Sequence, residues 1–415
     1  MKRAVPADPL FEALRAALAF EPVGEPAGNV TLARGALGGK PVHVALVENR
    51  TASGSIGSVE VARLAPLFQI VARERSPLVL YLDSAGAKVS EGLKALGAFR
   101  RVYREGLAAA LRGAPIAAVL GRNTYGGSSM LAHLAGERLF GPSTRLAMSG
   151  PSIIAASAGM NVLDEMFRAM AEASISGAAR TKVSPANRVW QDGTALDPWL
   201  GEALVAHARP IDGFHRRHGA LGQRLANRAA EPFENIRRRD LDRLYPGGCE
   251  ARESAGFIVG TGRSENGEET ILGLVGKAPL GVERAWRFAE AGWKLMEAPP
   301  ARLRVLLDCA THAARLDDER VVLSEYVVGL SLPLAALAAR GTRVELTILG
   351  DAGGGVYVAL AGPAAQVSAV HGAQIRVLPG SALTAILGEA PEEKGTILEY
   401  RAAGVAEEEL KLGLY

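Results

Sequence analysis

Two similar α/β units in tandem, each built from parallel strands joined by crossover helices, are the fold that the sequence predicts. Three observations carry this expectation. Short apolar, strand-like runs alternate with helix-like segments, glycine turns stand at the ends of those runs, and one order of landmarks is met twice along the 415 residues. Strands that alternate with helices pair in parallel, because the chain must return to the same end of the sheet before the next strand can start. A chain of this length also exceeds one ordinary core and suits two.

The first landmark is a glycine-marked helix start: Gly54-Ser55-Ile56-Gly57 ahead of Val59 to Arg73, and Gly276-Lys277-Ala278-Pro279-Leu280-Gly281 ahead of Val282 to Met296. The second is an apolar strand that stops at an aspartate. Ser76 to Leu82 leads to Asp83-Ser84-Ala85-Gly86-Ala87-Lys88, and Arg302 to Leu307 leads to Asp308-Cys309-Ala310-Thr311-His312-Ala313. The third is a strand that breaks into glycines before a helix of small or apolar residues. Ile116 to Gly121 is followed by Tyr125-Gly126-Gly127-Ser128-Ser129, and Val344 to Gly350 by Gly353-Gly354-Gly355-Val356-Tyr357. Short strands then resume at Arg145 to Met148 and at Gln374 to Leu378. Any two α/β units share strand–turn–helix alternation, but agreement at three successive landmarks goes further than that.

Between the halves, Leu200 to Glu253 reads as helical and strongly basic, with Arg209, Arg216, Arg217, Arg224, Arg228, Arg237, Arg238, Arg239 and Arg243, and Pro246-Gly247-Gly248 closes it. The expected division is therefore residues 1–247, which include this basic helical linker, and residues 248–415. Its arginines have two readings. They form a solvated face paired with Glu231, Glu234, Asp240 and Asp242, or a docking surface for phosphate or an acidic carrier protein.

Composition narrows the function. Apolar residues at 48% and charged residues at 22% describe a soluble globular chain. A net charge of +3, from 47 basic and 44 acidic residues, offers no general attraction to nucleic acid or an acidic membrane. Cys249 and Cys309 are too few for a disulfide framework or a four-ligand zinc site. No uninterrupted apolar run approaches the roughly 20 residues of a membrane helix, and Met1 to Leu10 carries Pro6, Asp8 and Pro9 in place of an apolar signal core. A cytoplasmic protein without metal is expected. The motifs HExxH, CxxC, GxSxG and GxxxxGK[ST] are missing, which removes the usual sequence support for zinc hydrolysis, serine hydrolysis and ATP cleavage.

The glycine turns remain. A glycine turn that caps a helix presents unpaired N–H groups, lets a ligand come close, and places an anion at the favourable end of the helix dipole. Gly126-Gly127 follows an apolar strand and opens a helix expected over Ser128 to Gly136, and Gly86-Ala87 ends the neighbouring strand, so the two turns suit the grip of one oxygen. Gly353-Gly354-Gly355 offers the second half's counterpart, for a second carbonyl or a departing carboxylate. Lys88 is either a contact for carboxylate or phosphate or an ordinary loop lysine. Tyr125 and Tyr357 border the turns, as hydroxyl donors or as core packing, and His133 and His312 are the histidines nearest to them, as packed side chains or as catalysts.

These residues also carry a resemblance. Asp83-Ser84-Ala85-Gly86-Ala87-Lys88-Val89-Ser90-Glu91-Gly92 resembles the DSGGARxQEG stretch of carboxyltransferase β-type domains, and Gly54-Ser55-Ile56-Gly57 resembles the GGSxG element that precedes it. Gly38 to Leu200, with Asn123-Thr124-Tyr125-Gly126-Gly127-Ser128 and Ser149-Gly150-Pro151, is similar to the β subunit of biotin-independent malonate decarboxylase. Ile271 to Leu387 is similar to the γ subunit, most tellingly over Leu346 to Leu360. Ala85 and Lys88 depart from the first glycine and the arginine of DSGGAR.

The resemblance implies two tandem crotonase-like ββα-spiral domains of the carboxyltransferase type, fused in β–γ order, with an active site between them. It implies decarboxylation of a malonyl thioester to the acetyl thioester through an enolate, with the acyl group on coenzyme A or on the phosphopantetheine-type arm of an acyl carrier protein. No covalently bound cofactor is implied, while an acyl-transferring subunit and self-association into a homo-oligomer are. By position, Gly86, Ala87, Gly126 and Gly127 would hold the thioester oxyanion, and Gly353 and Gly354 the opposing site. Lys88, Tyr125, Ser128, Gly355 and Tyr357 would surround the substrate. Two rivals stand beside this reading: a biotin-dependent acyl-CoA carboxyltransferase subunit, whose biotin another chain would carry, and a non-catalytic carrier-binding or assembly subunit.

Overall fold

The computed structural model describes residues 8–160, 164–206, 208–226, 228, 239–254, 256–265, 267–388 and 395–411. Among the described residues, sixteen strands fall into two sheets. The first sheet holds β1 (Glu21–Pro22), β2 (Val30–Leu37), β3 (Lys40–Val47), β4 (Leu78–Ser84), β5 (Ile116–Tyr125), β6 (Glu137–Phe140), β7 (Arg145–Ala147) and β8 (Asn187–Val189). The second holds β9 (Cys249–Ser254), β10 (Phe257–Ser264), β11 (Gly267–Lys277), β12 (Arg302–Cys309), β13 (Arg343–Gly353), β14 (Gln366–Val370), β15 (Gln374–Arg376) and β16 (Glu408–Leu410). Their orders match: β1-β2-β3-β4-β5-β6-β8 with β7 beside β5, and β16-β14-β13-β12-β11-β10-β9 with β15 beside β13.

Each sheet opens on an antiparallel hairpin, β2–β3 or β10–β11, and continues in parallel through crossover helices. The alternating helical segments dictate this, since Ser58–Glu74 and Leu93–Leu111 return the chain in the first half, and Val282–Lys294 and Leu323–Ala339 do so in the second. The third strand of each parallel set then serves two neighbours. β5 pairs with β6 through 117–120 and with β7 through 123–125, and β13 pairs with β14 through 345–348 and with β15 through 351–353. That step from one layer to the next is made alike in both halves, and the molecule is two tandem α/β units with the ββα-spiral topology that the sequence led us to expect.

The matched aspartates explain the step. Asp83 Oδ1 accepts the Asn123 N–H at 3.0 Å and Asp308 Oδ1 accepts the Asp351 N–H at 2.9 Å. A Cβ on Gly121 or Gly350 would collide with these aspartate side chains, with Asp83 Cβ at 2.5 Å and Asp308 Oδ1 at 2.3 Å. Both strands consequently run on past their glycines, further than the apolar runs alone indicate. The helix after Gly127 is shorter than the sequence reading, Gly127–Ala132, because the chain already turns at Gly136, whose N–H reaches Ile116 O at 2.9 Å, to enter β6.

One apolar core crosses the boundary between the halves. It joins Phe99, Tyr103, Met130 and Met148 to Val327, Val356 and Val358. Polar contacts follow the same seam, among them Tyr103 Oη to Ser331 Oγ at 2.7 Å and Arg104 to the carbonyls of Gly362 and Ala364.

Three of the linker arginines fit neither reading of that segment. Arg217 donates to His133 O at 2.8 Å and lies 3.3 Å from Glu325, Arg224 bonds Glu325, and Arg228 bonds Asp318 at 2.8 Å. These guanidinium groups staple the linker across both halves, neither paired along their own helix nor free to dock a partner. Glu231, Glu234, Arg237 and Arg238 lie outside the described residues. Among the described residues no helix is long and apolar enough to cross a membrane.

Candidate active site

The two sets of glycine turns face one cavity of about 1040 Å³ between the halves, at the upper end of the roughly 300–1,000 Å³ usual for small-molecule sites. Its wall takes Ala87, Lys88, Tyr125, Gly126 and Gly127 from the first half and Thr311, His312, Gly354 and Gly355 from the second. Phe99, Met130 and Met148 make much of it apolar.

The turns are built alike. In the first half Ile56 N donates to Gly86 O at 2.7 Å and Lys88 N to Ile56 O at 2.9 Å; in the second Leu280 N donates to Thr311 O at 2.8 Å and Ala313 N to Leu280 O at 2.8 Å. Ala87 is thereby the counterpart of His312, each in an isolated bridge with the chain before its helix. Gly126 at φ +55° is likewise the counterpart of Gly354 at φ +52°, a region that favours glycine. It follows that Gly127 corresponds to Gly355, and that the second half's pair is Gly354 and Gly355, one residue on from the Gly353 and Gly354 read from sequence. Gly353 is still extended strand, paired with Arg376, and a Cβ there would meet Arg376 O at 2.5 Å. It serves strand packing and does not line the cavity.

Within each turn one amide is consumed and one is open. Gly86 N donates to Ser84 Oγ at 3.1 Å, and Gly126 N is shared between Ala147 O and Met148 O, both at 3.2 Å. The N–H groups of Ala87 and Gly127 have no acceptor among the described residues, nor do those of His312 and Gly355. The donors therefore fall one residue beyond Gly86 and Gly126. Gly86 acts by proximity, for a Cβ there would come within 2.8 Å of Tyr125 O and 2.9 Å of Gly127 N, so its bareness lets the two turns touch. Ser128 does not line the cavity either. Its Oγ donates to Ser84 Oγ at 2.7 Å, which ties the helix after Gly127 to the turn at Gly86.

The remaining candidates divide. Tyr125 lines the cavity and its hydroxyl donates to Asn123 Oδ1 at 3.0 Å, while burial pushes its pKa up to about 12. Tyr357 is core: it is fully buried and its hydroxyl donates to Val405 O at 2.6 Å, away from the cavity. Lys88 stands at the wall 3.7 Å from Glu91. His133 belongs to the interior joint around Glu325, 3.7 Å from that carboxylate, where burial and Arg138 outweigh Glu325 and hold the imidazole neutral.

Two side chains complete the wall, His312, named from the sequence as a histidine near the turns, and Ser149 of Ser149-Gly150-Pro151. Ser149 Oγ and His312 Nε2, from opposite halves, lie 3.0 Å apart. Thr311 Oγ1 is 3.4 Å from His312 Nδ1, and Ser149 N donates to Glu319 Oε1 at 2.8 Å. Glu319 is buried against Arg180 at 3.1 Å, and burial pushes its pKa up to about 7 in spite of that arginine. Burial pushes His312 down to about 4, so it is neutral near pH 7. The signal for His312 was present in the repeat, since it follows Asp308 as Ala87 follows Asp83. Among the described residues no group of three or more His, Cys, Asp or Glu is placed to hold a metal.

Buried neutral histidines set a pH dependence. His133 and His312 take up protons near pH 6.5 in the unfolded chain and resist them when folded, so stability declines as pH falls below about 6.5, the two of them outweighing Glu319, whose raised pKa opposes the decline. Thermal unfolding followed from pH 8 to 5 is expected to show a falling Tm below that point, with His133→Asn and His312→Asn flattening the slope; a Tm that rises on acidification would contradict the placement.

Residues 4–185 match the carboxyl transferase domain. The carboxyl transferase segment carries the first set of turns, from Gly54 to Pro151. Over 154 residues the chain is 27% identical to the methylmalonyl-CoA carboxyltransferase 12S subunit of Propionibacterium freudenreichii subsp. shermanii, covering 37% of this chain and 29% of that one. It is 30% identical over 140 residues to the acetyl-coenzyme A carboxylase carboxyl transferase subunit beta of Synechococcus sp. (strain JA-3-3Ab), covering 32% and 43%. To the propionyl-CoA carboxylase carboxyltransferase subunit of Haloferax mediterranei it is 23% identical over 260 residues, covering 61% and 50%. The chain thus spans half or less of the length of these relatives. Among solved structures, a Pseudomonas malonate decarboxylase hetero-dimer matches at TM-score 0.40 and 24% identity, over 49% of this chain and 92% of that one. Transcarboxylase 12S matches at TM-score 0.37 and 16% identity, over 97% and 86%.

Proposed function

We propose that the protein decarboxylates a malonyl thioester, carried by coenzyme A or by an acyl carrier protein, to the acetyl thioester. The observation that carries this reading is the pair of open amides at Ala87 and Gly127, which belong to adjoining turns and face the cavity. Loss of CO2 leaves an electron pair that spreads onto the thioester oxygen. Two N–H donors fixed beforehand in a partly apolar cavity stabilise that charge without reorganisation, an effect worth about 3 kcal/mol per donor. The opposing amides of His312 and Gly355 are suited to the carboxylate before it leaves. Lys88 and Tyr125 stand where the acyl arm would pass. The carrier protein, an acyl-transferring subunit, cytoplasmic location, self-association and the division at residue 248 belong to the same reading.

Biotin-dependent carboxyl transfer is the second reading, favoured by the names of the curated relatives. It would use the same oxyanion turns and pass CO2 to a biotin held by a partner. Incubation of the purified chain with malonyl-CoA and with malonyl on a carrier protein is expected to release CO2 and acetyl thioester without biotin and in the presence of avidin. Turnover that avidin abolishes would favour the second reading. No turnover with either substrate would leave a non-catalytic carrier-binding role.

A further inference from the structure

We propose that Ser149 delivers the proton to the substrate's α-carbon and that His312 and Thr311 replace that proton from water. This rests on the decarboxylation reading and deepens it. A decarboxylation at an α-carbon needs one proton in place of the departing CO2; in a carboxyl transfer the biotin nitrogen can provide it, whereas without biotin the site must bring it from solvent. The cavity wall contains a chain of groups able to do so. Ser149 Oγ lies 3.0 Å from His312 Nε2, Thr311 Oγ1 lies 3.4 Å from His312 Nδ1, and all three residues line the cavity that holds the open amides.

Position makes the pair specific to this role. Ser149 sits just before the helix Pro151–Ser157 with its main chain anchored, since its N–H is bonded to Glu319, and Glu319 is in turn fixed by Arg180. The serine hydroxyl is left to the histidine and the cavity. His312 is held through its own backbone in the second half's turn. The proton path therefore exists only when both halves are together, because Ser149 comes from one and His312 with Thr311 from the other.

The step balances. The electron pair of the breaking C–C bond forms the enolate and CO2 departs; the enolate carbon takes the proton of Ser149 Oγ. His312 Nε2–H returns a proton to Ser149 Oγ, and Nδ1 takes one from Thr311 Oγ1, which recovers it from a water molecule in the cavity. The hydroxide that remains combines with CO2 as bicarbonate. A neutral imidazole passes a proton between its two nitrogens in this way without needing a net charge, which agrees with its burial.

Two readouts test the assignment and separate it from the parent reading. The first is exchange of the methyl protons of acetyl-CoA with deuterium in D2O, followed by NMR, which reads proton transfer at the α-carbon with no CO2 involved. The second is CO2 release from malonyl-CoA. The wild-type chain is expected to exchange, and Ser149→Ala and His312→Gln to lose both exchange and kcat on the order of 100-fold or more, with KM little changed and Tm within a few degrees of wild type. Exchange at the wild-type rate in either variant, or no exchange in the wild-type chain, overturns the proton path. CO2 release that fails while His312-dependent exchange persists overturns the decarboxylation and leaves the proton path standing.

Discussion

Gly86→Ala is expected to lower turnover of the malonyl thioester by about 100- to 1,000-fold, the loss that follows when one preorganised donor of an oxyanion site is taken out of play. The residue sits at φ +95°, where a side chain is strained, and an added Cβ would meet Tyr125 O at 2.8 Å and Gly127 N at 2.9 Å. The methyl group must push apart two turns whose open amides have to converge on one oxygen. The backbone strain itself costs on the order of 1–3 kcal/mol, which a core shared by both halves is expected to tolerate. Turnover measured beside thermal unfolding checks the prediction: a folded variant that has lost activity is the expected outcome, and wild-type kcat would show that the spacing of the turns does not matter. Gly127→Ala does not report the same thing. A Cβ there lies 2.3 Å from the Phe99 ring, so the absent side chain at Gly127 makes room for packing, and substitution is expected to disturb the fold.

Glu325→Ala is expected to have the largest effect on stability, about 3–5 kcal/mol, because removing one partner of a buried ion pair strands the others without solvent. Glu325 is fully buried, and burial opposes its ionisation, but Arg217, Arg224 and Arg138 together hold it well below the usual carboxylate range. Its carboxylate lies 3.3 Å from Arg217 and 3.7 Å from Arg138, and bonds Arg224. Those groups come from the first half and the linker, so the substitution leaves three desolvated cations facing one another at the joint of the whole chain. Denaturant unfolding of the variant checks this, with Arg216→Ala on the exposed side of the linker helix as the control. A loss below about 1 kcal/mol would mean that the joint is wet and the charges screened.

The fold was legible because its main cause is local. The glycine turns, the aspartates at the strand ends and the apolar runs repeat in order, and each marks a backbone event the structure repeats: Asp83 and Asp308 accept amides from the neighbouring strand, and Gly126 and Gly354 adopt the same left-handed turn. The turns that line the cavity were legible, to within a residue in the second half. Sequence points to the glycine, but which amide of a turn is left open depends on the side chain or strand that takes the other, as Ser84 takes Gly86 and β7 with Met148 takes Gly126. Ser149 and His312 were harder to find, being far apart in the chain and joined only by the packing of the halves. Arg217, Arg224 and Arg228 were misread for the same reason: their carboxylates, Asp318 and Glu325, lie in the second half. Tyr357 borders a turn in sequence, yet its side chain points into the core, a direction that the glycine pattern does not encode.

The central claim, that the open amides of Ala87 and Gly127 seat the enolate oxygen of a thioester, is tested most directly by a crystal structure with a coenzyme A analogue that mimics the enolate, such as S-carboxymethyl-coenzyme A, whose carboxylate stands in for the enolate of the acetyl thioester. The account predicts the analogue's anionic oxygen within hydrogen-bond distance of both N–H groups, with the acyl carbon turned toward Ser149. An analogue bound elsewhere, or bound here with both amides untouched, would contradict it.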